Sequence, residues 1–172
     1  MLHRRNLTAL VLTSAVAGWL VPSEAEAASG RELFAIARSK NANIVRYVAR
    51  VNRRGTLDVQ RPIEAHWVMR AEDGRREELS WAERNLAYGF TASSVESDGC
   101  TLSLVAFESR QVRIERRGGS FRALLAIRGQ RATLKRIFVQ ATEGALLPTV
   151  QYVDLFGVGL DGGPVSERVS AG

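Results

Sequence analysis

Alternation with a period of two governs this chain from residue 43 onward, and a chain patterned that way folds as half-buried β-strands. Between Asn43 and Val51 it sets Val45, Tyr47, Ala49 and Val51 on one face and Arg46 and Arg50 on the other. Between Pro62 and Arg70 it sets Ile63, Ala65, Trp67 and Met69 opposite Glu64, His66 and Arg70. The pattern continues at Phe90 to Val95, then through Cys100 to Phe107, Gln111 to Arg117, Phe121 to Arg128, Ala132 to Gln140 and Thr149 to Phe156. Tight connections separate these runs at Asn52-Arg53-Arg54-Gly55, Ala71-Glu72-Asp73-Gly74, Gly118-Gly119-Ser120 and Gly129-Gln130, with Gly55 free to take positive φ. Strands joined by short turns imply an antiparallel meander. About eight of them with one short helix suit a closed barrel or a sandwich. Val165 to Val169 can add a last edge strand.

The helix is expected after the second turn. Ser80 and Glu83 have the spacing of a capping box, Leu79, Ala82 and Leu86 form an apolar stripe, and Gly89 stands where a left-handed residue ends a helix. Trp81, Asn85 and Tyr88 form a second stripe, which fits packing against the sheet or the lining of a ligand site.

Ahead of the alternation lies a segment of another kind. Arg4 and Arg5 precede an uncharged run from Leu7 to Val21, and Ala25-Glu26-Ala27 has the small-x-small form of a cleavage site. Residues 1–27 are expected to be a cleaved signal peptide, of the general secretory type rather than the twin-arginine type. Residues 28–172 are then a single β domain, periplasmic or secreted, without a transmembrane segment. Cys100 is the only cysteine, so neither lipid attachment at the cleavage point nor an internal disulfide is available, and a small buried hydrophobe is its expected role.

The net charge of +6 is unevenly spread. From Arg110 to Arg136 nine basic residues, Arg110, Arg113, Arg116, Arg117, Arg122, Arg128, Arg131, Lys135 and Arg136, face Glu115 alone. Such a positive pole suits anionic lipid heads or envelope polymers, or it is a solvated arginine face. Nucleic acid is not expected, since aromatic residues are not interleaved with the arginines.

Catalysis is poorly supplied. His66 is the only histidine after residue 27, and alternation puts it with Glu64 and Arg70 on a polar face as a solvated side chain. Metal sites rich in histidine or cysteine are excluded, no cofactor is implied, and no nucleophile and base can be named together. Carboxylates such as Glu77, Glu78, Glu83, Glu108 and Asp154 could meet in space, but no spacing singles out a pair.

Binding is better supplied. Arg136 interrupts the apolar face of Leu134 and Phe138, and Asp154 that of Tyr152 and Phe156, so each needs a partner. If the strands Ala132 to Gln140 and Thr149 to Phe156 pair antiparallel, Asp154 can meet Arg136, or Lys135 after a one-residue slip. The donor-rich stretch Arg38-Ser39-Lys40-Asn41-Ala42-Asn43, just before the first alternating strand, can close one end of a barrel over an anionic or amide-bearing ligand, or satisfy its own backbone. The candidate ligand-binding residues are Arg38, Asn41, Asn43, Trp67, Trp81, Tyr88, Arg136, Tyr152 and Asp154.

Several phrases taken in order carry a resemblance: Leu33-Phe34, Arg38 to Val45, Asp58 with Pro62-Ile63 and His66-Trp67, Glu78-Leu79 with Glu83 and Ala87-Tyr88-Gly89, Leu134 to Val139, and Pro148 to Gly157. Over about residues 32–169 the chain resembles the domain-of-unknown-function family 4833 (DUF4833). The resemblance implies an exported, mostly β domain of bacterial type with no assigned activity, cofactor or partner. The family tends to show Tyr-Trp where this chain has His66-Trp67, and Glu where it has Asp154. The expectation is an exported envelope protein that binds a small or lipidic ligand without catalysis. One alternative is an interaction module using its arginine-rich face on anionic envelope polymers, and another is a carboxylate-dependent hydrolase.

Overall fold

The computed structural model describes residues 31–142 and 149–170, so the expected leader lies outside the described residues. Those residues form eleven strands and one short helix: β1 (Glu32–Arg38), β2 (Asn41–Ala49), β3 (Ile63–Val68), β4 (Arg76–Glu78), α1 (Trp81–Leu86), β5 (Phe90–Glu96), β6 (Gly99–Leu104), β7 (Phe107–Arg117), β8 (Ser120–Ile127), β9 (Gln130–Thr142), β10 (Thr149–Gly159) and β11 (Pro164–Ser170). Nine of them follow the order β4-β3-β2-β1-β9-β8-β7-β6-β5, while β10 pairs with β9 and carries β11 beyond it.

The mainly β class is as expected, but the barrel is not closed. The sheet curls into an open half-barrel whose end strands, β4 and β5, share no ladder among the described residues. Strand β4 has three residues, and β5 breaks register between Ser93 and Glu96, where Ser94 takes φ 48°. Neither end strand therefore offers a long, flat edge to another sheet. The meander is also interrupted, because β1 runs parallel to β9 from Ala35↔Arg136 to Arg38↔Val139. Strand β9 is long enough to take β8 along its first half and β1 along its second on one edge, and β10 on the other.

The count exceeds eight because β1 and β4 add to the expected strands and β11 forms as the last edge strand expected at Val165 to Val169. The run Leu33-Phe34-Ala35-Ile36 in β1 is buried throughout, so it shows no alternation. Its inner residues join the main core. Phe34 stacks on Tyr47 with ring centroids 4.4 Å apart, and Leu102, Val112, Ile114, Leu134, Ile137 and Leu155 complete an interior closed to water. On the outer face Ala35, Ile44 and Val68 make a second, smaller cluster. Cys100 sits in the main core, and burial pushes its thiol up to about 11.

Three local expectations need correction. Strands β9 and β10 are antiparallel neighbours, but Asp154 stands opposite Phe138 and Arg136 opposite Phe156. The ladder shifts between Val150 and Tyr152 and between Phe156 and Gly157, leaving Gln151 and Lys135 as the extra residues. Asp154 is therefore paired not with Arg136 or Lys135 but with Arg168 of β11, through hydrogen bonds of 2.7 and 2.8 Å.

His66 is not solvated; it is 7% exposed. On the outer face it lies between Arg46 of β2 and Glu78 of β4, its register partners, with its Nδ1 3.4 Å from Glu64 Oε1. Long charged side chains cover it as an apolar layer would. Burial, then the nearby Arg76 guanidinium, lowers its pKa below the ordinary 6.5.

The capping box forms as expected, but α1 buries none of its residues. Its flanks, Leu79 and Tyr88, enter the core instead. Gly89 does not take the left-handed conformation. A Cβ there would stand 1.6 Å from the Arg84 carbonyl oxygen, so glycine is required by close approach.

Candidate functional site

Between β3 and β5 the half-barrel leaves a seam, a cleft of about 670 Å³. The inward-facing residues of both lips line it, Ile63 and Ala65 from β3 and Phe90 and Ala92 from β5, with Leu79 and Tyr88 from the α1 flanks. The Tyr47 hydroxyl, held protonated by burial, donates to the Tyr88 carbonyl at 2.6 Å and fixes that wall.

The rim is charged. Arg50, Arg61, Arg76 and Arg84 line the cleft together with Glu64 and Glu78. Arg76 pairs with Glu64 and, at 3.2 Å, with Glu78; Arg50 reaches Glu64 at 3.6 Å and Arg84 reaches Glu78 at 2.9 Å. The Arg76 hydrogen bond holds the Glu78 carboxyl below its usual value. Arg61 makes no ion pair among the described residues. Four guanidiniums over two carboxylates leave the rim positive, and both carboxylates are engaged, so the arrangement suits anion binding more than proton transfer.

Three residues expected from the sequence meet beside the seam. Arg38, at the end of β1, stands close enough to the Tyr88 hydroxyl for its charge to oppose the rise that burial gives that group. The Tyr88 ring stands edge-on to Trp67 with centroids 5.0 Å apart, and Trp67 Nε1–H donates to Glu83 Oε1 at 3.0 Å. Trp81, on the same helix as Glu83, stays out of this group and is 77% exposed.

Arg136, Tyr152 and Asp154 gather elsewhere, on the sheet face opposite Val153 and Leu155. There Arg168 lies 3.7 Å from the Tyr152 ring centroid and Arg136 lies 4.4 Å from that of Phe156. Asn41 and Asn43 serve the backbone: their Oδ1 atoms accept from Asn43 N–H at 2.9 Å and Ala71 N–H at 3.1 Å. The stretch they belong to is a tight hairpin between β1 and β2, with Lys40 at φ 59°.

The arginines between 110 and 131 do not share one face. Arg113, Arg117 and Arg131 converge on Glu115, at 2.9, 3.3 and 2.5 Å, and Arg122 is the register partner of Glu115 on β8. Arg110 is bound to Glu167 of β11. Arg116 projects from the other side of β7 toward Gly55, and Arg128 lies in the β8–β9 turn. Among the described residues no cluster of three or more histidine, cysteine or acidic side chains could hold a metal ion. None of their helices is long and apolar enough to cross a membrane.

The lips of the seam, the Arg38–Trp67–Tyr88 group and the β10–β11 ion pair all fall within residues 34–168, which match the family model described as Domain of unknown function (DUF4833). The chain belongs to the DUF4833 family. No curated protein and no solved structure matches it. In this DUF4833 domain the seam also uses Arg50, Arg61, Ile63, Ala65 and Phe90, which sequence reasoning did not single out. Arg61-Pro62 just before a strand was the available signal. What makes those residues a site is the missing ladder between β3 and β5, and alternation carries no trace of that.

Proposed function

We propose that this DUF4833 protein is an exported, non-enzymatic binding protein that holds a small or lipidic ligand in the seam between β3 and β5. One observation carries the reading: an apolar floor of Ile63, Leu79, Tyr88 and Phe90 lies under a rim of four arginines and two glutamates in a cleft of about 670 Å³. That volume is ordinary for a ligand site. The charge selects a ligand with an anionic group. The leader of residues 1–27, with Ala25-Glu26-Ala27 before the cut, supports an envelope address.

Native mass spectrometry of the protein purified from its own envelope tests both parts. The chain is expected to begin at Ala28 and to retain a bound mass that Arg61→Glu reduces. A chain beginning at Met1 overturns the export reading, and a retained mass insensitive to Arg61→Glu and Ala65→Trp overturns the seam as its site. The second reading, an interaction module for anionic envelope polymers, rests on Arg113, Arg117, Arg122 and Arg131 grouped around the single carboxylate of Glu115. Salt-sensitive binding to anionic vesicles, lost on replacing Arg113 and Arg117, supports it.

A further inference from the structure

The hydrogen bonding around the seam fixes which backbone groups face it. Arg50 N–H donates to the Pro62 carbonyl at 2.8 Å, and Met69 N–H to the Arg75 carbonyl at 2.9 Å. Successive residues of an antiparallel strand present their backbone groups to opposite edges. Pro62, Glu64, His66 and Val68 therefore address β2, while Ile63, Ala65, Trp67 and Met69 address the other edge. Strand β4 covers only His66 to Val68, so Ile63 and Ala65 have no ladder partner there among the described residues. Across the seam, Val105 N–H donates to the Gly89 carbonyl at 2.9 Å. By the same parity Gly89 and Thr91 address β6, and Phe90 and Ala92 turn their N–H and C=O groups into the cleft.

Both lips of the seam are thus strand edges without a ladder partner, and the same four residues line the cleft between them. A lipid tail filling this slot would strip water from those N–H and C=O groups and give nothing in return. An extended polypeptide would satisfy them on both sides at once and supply the strand that the half-barrel lacks between its ends. We propose that the seam binds an extended peptide of about four to six residues as an added strand between β3 and β5. Alternate apolar side chains point inward to Leu79 and Tyr88, and acidic side chains point outward to Arg50, Arg61 and Arg76. This rests on the seam being the ligand site, and within that reading it selects a short peptide over a lipid.

The test uses three blocked hexapeptides, alternating valine with aspartate, leucine with aspartate and phenylalanine with glutamate, with dodecanoate as the lipid probe. Calorimetry is expected to show saturable binding of at least one peptide. Methylating alternate peptide amide nitrogens should weaken it at least tenfold. In the free protein the amides of Ala65 and Ala92 should exchange rapidly with solvent, and the bound peptide should slow them at least tenfold. Ala65→Pro removes one cleft-facing N–H while leaving the β2 ladder intact and should cost at least tenfold in affinity. Ala92→Pro makes the same test on the opposite lip, with an unchanged thermal midpoint showing that either variant folds. Dodecanoate binding without any peptide binding overturns strand addition and leaves the seam as a lipid site. Binding of neither overturns the seam itself, and a methylated peptide that binds as well as its parent overturns the strand mode.

Discussion

Arg110 of β7 grips Glu167 of β11 with two parallel hydrogen bonds, Nη1 to Oε2 at 2.7 Å and Nη2 to Oε1 at 2.5 Å. The backbone N–H of Arg128 adds a third at 2.6 Å, and Arg110 also donates to the Ala126 carbonyl at 2.9 Å. One carboxylate thereby joins the last strand of the sheet to β7 and to the β8–β9 turn, elements that no ladder connects to β11. Arg128 takes φ 51° in that turn, a conformation that costs a residue with a side chain about 1 kcal/mol, and its bond to Glu167 offsets the cost.

Glu167 should therefore make the fold sensitive to strong acid. Its hydrogen bonds to Arg110 and to the Arg128 backbone lower its pKa from the ordinary 4.5 to about 2. A carboxyl depressed in the folded state contributes stability that is complete above the unfolded value and is lost as pH falls through the folded one. The loss should run from about pH 4.5 down to pH 2. Glu167→Gln should lower stability at neutral pH by ~1–2 kcal/mol and flatten this part of the profile. Thermal midpoints of both proteins at pH 6, 4 and 3 measure it, and parallel profiles would rule the latch out.

His66 should act in a separate, milder window. Its pKa is lowered by burial and by Arg76 and Arg46, against the smaller opposing pull of Glu64 and Glu78. A histidine depressed in the folded state takes up protons more readily when unfolded, so stability falls as pH drops below about 6.5. His66→Gln should remove that slope and leave the Glu167 window intact. It is the only histidine among the described residues, so the imidazole proton resonance that His66→Gln removes, followed from pH 8 to pH 4, gives its midpoint directly. A midpoint at or above 6.5 would show that burial and the two arginines do not outweigh Glu64 and Glu78.

Much of the sheet was legible because its strands are half-buried. β2, β3 and β5 to β10 show apolar alternation, Gly55 takes φ 74° in its turn, and the capping box closes with Ser80 N–H donating to Glu83 Oε2 at 2.7 Å. β1 was hidden because Leu33 to Ile36 are buried on both faces. The β9–β10 register was hidden because Lys135 and Gln151 are inserted without any mark in composition. His66 read as solvated because alternation sorts faces and says nothing of what covers them. Arg38, Trp67 and Tyr88 were legible as candidates, whereas the seam depends on strand edges that topology leaves unpaired.

The corrected partner of Asp154 makes its own prediction. Arg168 holds its carboxyl below the usual range through hydrogen bonding, with Arg136 a lesser influence. Arg168 is more than half exposed, with 59% of its side-chain surface accessible, so deleting either residue should lower the thermal midpoint only slightly. The effects of Asp154→Ala and Arg168→Ala should be non-additive, and those of Asp154→Ala and Arg136→Ala close to additive. A double-mutant cycle that coupled Asp154 to Arg136 more strongly would restore the register expected from the sequence.

Tyr47 links the core to the seam. Its ring is fully buried against Phe34, and its hydroxyl donates to the Tyr88 carbonyl at 2.6 Å on the cleft wall. Tyr47→Phe keeps the stacked ring and leaves that carbonyl without its donor, so it should cost ~1–2 kcal/mol. Tyr88→Phe keeps the carbonyl bond and loses only the Arg38 contact with the hydroxyl, and it should cost less. Burial raises the Tyr47 pKa above its ordinary value of 10.0. An acid raised in the folded state contributes stability that is complete below the unfolded pKa and is lost as pH climbs above it. The wild-type midpoint should therefore fall above about pH 10, and that of Tyr47→Phe should fall less steeply. Denaturant unfolding of the three proteins at pH 7 and pH 11 decides the point: if Tyr47→Phe and Tyr88→Phe cost the same at neutral pH, the hydroxyl does not brace the wall of the seam.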